Sequence, residues 1–93
     1  MDFLFSKNSK AEVPIFGKID KDIISGQIDR ISIDENNVYI VDYKNTNYLP
    51  KKVPEKYKIQ LDLYKKLLEK IYKNKKINCY ILWTSFGKIE YVS

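Results

Sequence analysis

Apolar and polar residues alternate through two neighbouring stretches of the chain, "DIISGQIDRISI" (22–33) and "VYIVDYK" (38–44). Such alternation predicts strands, with residues two apart on one face. The second stretch is apolar on both faces until its charges begin, which predicts a central strand. The intervening "DENN" has turn chemistry. Upstream, "AEVPIFGKI" predicts a first extended segment, and Pro14, which has no N–H to donate, assigns it to a sheet edge. Gly26 inside the second strand predicts a bulge or a close backbone approach. The opening "MDFLFSKNSK" reads either as a frayed start or as the tail of an earlier element.

After the polar connection "NTNYLPKK" the period changes. Tyr57, Gln60, Leu61, Tyr64, Leu67, Leu68, Ile71 and Tyr72 follow the spacing of one helical face. Pro54 suits the first helical position, Glu55 suits the positive end of the dipole, and the helix is expected to run to about Lys73. Most of these face residues have ordinary core or boundary chemistry, but Gln60 stands where leucine would be expected, with Tyr64 one turn on. "INCYILWT" predicts a further strand, "SFGK" a turn and "IEYVS" a short last strand. The order predicts an α+β fold: a central mixed sheet with one main helix packed on it.

Charges interrupt the two isoleucine-rich strands at comparable places. On the third strand Val38, Ile40, Asp42 and Lys44 share a face; on the second, Gln27, Asp29, Ile31 and Ile33 do. An antiparallel hairpin closed by Asp34 to Asn37 pairs Ile33 with Val38, Ile31 with Ile40, Asp29 with Asp42 and Gln27 with Lys44. Half of the shared face is then aliphatic and the other half is carboxylate, carboxylate, amide and ammonium. Opposed side chains have Cβ atoms about 5 Å apart, where like charges repel. Two such carboxylates beside a core either share a proton or share a cation. A hard divalent ion, Mg²⁺ or Mn²⁺, would neutralise the pair, polarise a phosphate and acidify a bound water. Lys44 beside it could position that water or offset phosphoryl charge. The pattern equally fits an ion-pair network at a solvated strand end, Asp42 with Lys44 and Asp29 with Arg30 or a lysine.

Composition narrows the chemistry further. The 93 residues make one small domain, 44% hydrophobic and 31% charged, with a net charge of +5 that favours polyanionic partners. No histidine is present, which removes Ser-His-Asp triads and histidine metal sites from this chain. The single cysteine, Cys79, rules out an internal disulfide and is expected as a buried free thiol, consistent with a reducing, cytoplasmic setting. No signal peptide or membrane-spanning run is apparent, and no membrane partner is expected. The chain also lacks a phosphate-cradling glycine-rich loop.

"GQIDRI", "VYIVDYKN" and "QLDLY", in that order, resemble successive motifs of RecB-like nucleases of the PD-(D/E)XK superfamily: a G-x-x-D-R strand, a D-Y-K strand and a Q-x-x-x-Y helix. The flanking "AEVPIFGKI" and "YILWT" are similar to the C-terminal nuclease region of AddA-type bacterial helicase–nuclease subunits. The resemblance runs from about Lys10 to Thr84. It implies a restriction-endonuclease-like core over residues 1–93, a partial domain whose first family helix and motor domains are missing. It implies Asp29 and Asp42 as metal ligands, joined by the Tyr43 backbone carbonyl, and Lys44 as the catalytic lysine. Gln60 and Tyr64 become a supporting pair near the DNA path, with Arg30 beside them and Glu12 as a further acidic position of open role.

The implied activity is Mg²⁺- or Mn²⁺-dependent, exonuclease-type cleavage of DNA in double-strand-break repair and recombination, alongside a helicase partner. Two departures weigh against it: the histidine or acidic residue of the family's first helix has no counterpart, and Asn45 replaces the threonine usual after the lysine. An alternative is therefore a catalytically weak remnant that binds DNA or docks on a helicase. A third is an unrelated α+β interaction domain in which the charged residues form only ion pairs.

Overall fold

In a computed structural model of the chain, which describes residues 9–93, the alternating stretches form a five-stranded sheet and the helical period forms one helix on it. The opening segment falls almost wholly outside the described residues. β1 (Ser9–Ile19), β2 (Asp22–Ile33), β3 (Asn37–Lys44), β4 (Lys76–Trp83) and β5 (Lys88–Tyr91) lie side by side in chain order. β3 and β4 are parallel, and the other neighbours are antiparallel. α1 (Glu55–Ile71) makes the crossover that a parallel pair requires. The fold is α+β with a mixed sheet, β1 is an edge strand with Pro14 exposed, and β3 is central.

The β2–β3 turn is held by the Asp34 side chain, which accepts from the N–H groups of Asn36 at 2.9 Å and Asn37 at 2.7 Å. It sets the predicted register: Ile33 pairs with Val38 and Ile31 with Ile40. β1 and β2 close through Asp20 and Lys21, with Asp20 in the left-handed region at φ 54°. Aspartate tolerates that conformation better than most side chains.

The core lies between α1 and one sheet face. Ile40, Val38, Ile77, Cys79, Ile81 and Trp83 are almost or wholly inaccessible, under Leu61, Leu67 and Leu68 of the helix. Cys79 is a buried free thiol, as expected, with Sγ 3.9 Å from the Leu61 carbonyl oxygen.

Three expectations need correction at the helix. Pro54 is the N-cap rather than the first helical residue: its ψ of 141° is extended, and its carbonyl accepts from Tyr57 N at 3.0 Å. The helix ends at Ile71, before Lys73, with Tyr72 as C-cap. Ile71 is 63% exposed rather than part of the core, at the rim of a groove between the end of the helix and β1.

β2 does not keep one face inward throughout. Ile31 pairs with core residue Ile40, yet Gly26 faces Tyr64 of the helix, an odd number of positions away. Strict alternation cannot aim both at α1. The switch falls where the β1–β2 ladder skips: Ala11 pairs with Arg30 and Val13 with Ile28, while Glu12, opposite Asp29, has a left-handed φ of 54°. Gln27 consequently turns outward, is exposed and pairs with Pro14 of β1. The predicted meeting of Gln27 with Lys44 does not occur.

Candidate active site

The polar half of the predicted face lies where β2 and β3 part. Their ladder ends at Arg30 and Val41, one position short of the acidic residues. There the Asp29 carboxylate takes over from the backbone, its Oδ2 accepting from the Tyr43 N–H at 2.7 Å. Asp29 is thus fixed against β3 by a side-chain bond that a leucine or valine could not make. A backbone donor thus satisfies one of its oxygens at the end of the core.

Asp42 is the buried partner. It is 8% exposed, and its Oδ2 receives no aligned hydrogen bond. Lys44 Nζ stands 2.9 Å from that oxygen as an ion pair, with 21% of the lysine side chain exposed. Burial pushes the Asp42 carboxyl above the ordinary carboxylate range, and the neighbouring Asp29 carboxylate pushes the same way. The Lys44 ammonium, 2.9 Å away, opposes both without cancelling them.

Lys44 is held from a second side. Its Nζ lies 4.3 Å from the centroid of the Tyr57 ring, in the first turn of α1. That ring packs on Trp83 at 6.1 Å between centroids, tilted by 53°. Trp83 is fully buried, and its Nε1 donates to Glu90 Oε1 at 3.1 Å. From its spacing alone Tyr57 is a helix-face residue one turn before Gln60, and its contact with Lys44 is set by the packing of α1 on the sheet.

One row of α1 therefore meets the strands twice. Tyr57 reaches Lys44, and Tyr64, two turns on, reaches Gly26, where an added Cβ would lie 2.1 Å from the Tyr64 hydroxyl. Gln60 Nε2 donates to that hydroxyl at 3.3 Å. Gly26 is thus the close backbone approach predicted for it, and its missing side chain makes room for Tyr64. Gln60 and Tyr64 line a groove with Ile23, Ile24, Ser25, Lys56, Ile59 and Leu63, and neither aspartate lines it.

Two candidates stand elsewhere. Arg30 projects from the opposite sheet face, donating from Nε to the Tyr43 hydroxyl at 3.1 Å and from Nη1 to Ser9 Oγ at 2.7 Å. Alternation carries it away from its neighbour Asp29 into this network, so it does not join the site. Glu12 is exposed at the register position across from Asp29. Among the described residues no group of three or more carboxylate, histidine or cysteine side chains converges. The side-chain donors for a cation are the two aspartates.

This donor set fits a hard cation with a partly hydrated shell. Two carboxylates, one with a buried and unaligned oxygen, leave most coordination positions to backbone, water and substrate oxygens. A divalent ion between them would also offset the burial and the neighbouring Asp29 carboxylate that together raise Asp42.

The family model for the PD-(D/E)XK nuclease superfamily matches residues 5–87. The chain is 34% identical over 81 residues to an ATP-dependent helicase/nuclease subunit of Staphylococcus haemolyticus (strain JCSC1435), covering 76% of this chain and 6% of that protein. It is 28% identical over 71 residues to the protein of the same name from Streptococcus suis (strain 98HAH33), covering 75% of this chain and again 6% of the relative. The chain thus spans a small fraction of the length of these relatives. In fold it is similar to the crystal structure of SSO0001, with a TM-score of 0.62 at 17% identity, over 92% of this chain and 42% of the other.

Proposed function

The chain belongs to the PD-(D/E)XK nuclease superfamily, and from that premise we propose that it is a divalent-metal-dependent deoxyribonuclease domain. The observation that carries this reading is the convergence of Asp29, Asp42 and Lys44 where the β2–β3 ladder ends, with Asp42 Oδ2 buried and lacking an aligned donor. Asp29, Asp42 and the Tyr43 carbonyl would hold Mg²⁺ or Mn²⁺. Bound there, the ion supplies Lewis acidity toward a phosphodiester and a more acidic water.

The remaining work falls to the chain. The Tyr43 N–H orients Asp29 through one oxygen. Lys44, already 2.9 Å from Asp42, presents an ammonium that offsets charge developing on the phosphoryl oxygens. Tyr64, seated on Gly26, and Gln60 beside it form one wall of a groove that a nucleic-acid strand would follow. The net charge of +5 favours a polyanion along that path. Glu12, across from Asp29, is a candidate for orienting water at the outer edge of the site. The names of the relatives support a helicase–nuclease setting, so the reading extends to exonuclease-type processing of DNA during repair, beside a helicase partner.

The test is cleavage of end-labelled linear single- and double-stranded DNA by the purified chain with Mg²⁺ or Mn²⁺. EDTA is expected to abolish cutting, and Lys44→Ala to slow it by about 10²–10³-fold. A folded chain that cuts neither substrate, or cuts equally well as Lys44→Ala, would sink the reading.

A further inference from the structure

The Lys44 side chain is 21% exposed, on a stem with four rotatable bonds, and among the described residues its ion pair is with Asp42 Oδ2. That is also the oxygen a cation would take. Once a cation shares the Asp42 charge, the attraction that keeps the ammonium in place is weakened. Something else must keep Lys44 pointed at the reacting phosphate.

We propose that Tyr57 is the positioning residue for Lys44, its ring face holding the ammonium over the carboxylate pair. This rests on the nuclease reading for its consequence, but the contact itself does not depend on it. The 4.3 Å separation is well inside the range in which an aromatic quadrupole attracts an ammonium. The attraction is to a neutral ring, so a cation on the neighbouring aspartates leaves it intact.

Two features make the ring a fixed platform. Tyr57 stands in the first turn of α1, directly after the N-cap carbonyl that its own N–H bonds at 3.0 Å. Its ring then rests on Trp83, which is fully buried and tethered to Glu90 at 3.1 Å. A chain of fixed groups thus runs from Glu90 through Trp83 and Tyr57 to Lys44. The ring, not the hydroxyl, makes the contact to Lys44. Phenylalanine should therefore replace tyrosine here, and leucine, which keeps apolar bulk against Trp83, should not. Lys56 Nζ also approaches the ring, at 5.3 Å, but from the exposed surface of the same turn and without a carboxylate to serve.

The first readout needs no activity. In the wild-type chain, the ε-methylene protons of Lys44, identified by their absence in Lys44→Ala, should resonate upfield of the other lysines because they lie over an aromatic face. They should remain there after Mg²⁺ is added and return to the common position in Tyr57→Leu. The second readout is steady-state cleavage: Tyr57→Leu should lower kcat about 3- to 30-fold with KM unchanged, and Tyr57→Phe should restore both.

Lys44 signals in the common lysine position in the wild-type chain would overturn the proposal, even if Tyr57→Leu did not fold. So would a shifted Lys44 signal with full kcat in Tyr57→Leu, or a rise in KM alone, which would make Tyr57 a substrate contact. A shifted signal in a chain that cuts no DNA would leave the contact standing and remove the nuclease reading instead.

Discussion

From Ile33 to Arg30, β2 runs beside β3 with regular pairing, and the inward side chains, Ile31, Ile33, Val38 and Ile40, are aliphatic. One position further on, the ladder stops and Asp29, Asp42 and Lys44 stand in place of hydrocarbon. The two halves share strands, register and a covering helix, yet solve opposite problems. The aliphatic half removes carbon from water with its backbone groups bonded across the ladder, which is favourable at every step. The polar half draws Asp42 into the same enclosure with one oxygen lacking an aligned donor, which is costly. That buried carboxylate is the feature on which the proposed site rests.

The largest break in the comparison is made on the aliphatic side. Ile40 is fully inaccessible, so Ile40→Ala should lose about 2–5 kcal/mol in chemical denaturation, through lost transfer energy and the cavity left behind. A loss below about 1 kcal/mol would mean that this half is not sealed.

A smaller effect comes from the seam between helix and hairpin. Gly26→Ala would put a methyl 2.1 Å from the Tyr64 hydroxyl, and the strain should cost about 1–3 kcal/mol. Tyr64→Phe removes the obstructing oxygen, so the same alanine introduced there should cost measurably less. Equal costs in the two backgrounds would show that Tyr64 is not what the glycine accommodates.

The smallest change has the opposite sign. Asp42→Asn removes a buried charge and should raise the melting temperature of the metal-free chain at neutral pH. About 1 kcal/mol moves a domain of this size by about 4–8 °C, so a gain of a few degrees is readable. Burial raises the Asp42 value above 3.8 in the folded state, so the folded chain holds that proton more tightly than the unfolded one. The stabilisation that the proton provides is fully present below the unfolded value and is lost as pH rises through the raised folded value. The advantage of Asp42→Asn should therefore shrink on acidification and vanish below about 4. A wild-type chain more stable than Asp42→Asn at pH 7 without metal would show that the ion pair with Lys44 outweighs burial.

Much of this architecture is legible in the residues alone. A period of two in Asp22–Ile33 and Asn37–Lys44, broken by an Asp-led turn, predicts the hairpin and which face of each strand is aliphatic, because a one-residue slip would turn that set outward; the length of the turn then selects the register. The Gln60 and Tyr64 spacing on a helical face, and the predicted close approach at Gly26, follow from equally local rules. Alternation failed at one place. It would have kept Gln27 with Asp29 and Ile31, whereas the switch of face at Glu12 and Asp29 turns Gln27 out and Gly26 in. No local preference announces a left-handed glutamate in a strand; it appears where the β1–β2 ladder skips a pair.

By itself, then, the sequence determined the strands, the helix and the presence of two carboxylates and a lysine at neighbouring strand positions, since these depend on period and spacing. Tertiary structure alone decided which of those groups are buried, which are satisfied and what else touches them. The Asp29 carboxylate bonds a β3 amide, Tyr57 reaches Lys44 from a helix that starts ten residues after β3 ends, and Arg30 is carried to the opposite face. Each depends on distances between elements remote in the chain, and such distances are set only when the helix packs on the sheet.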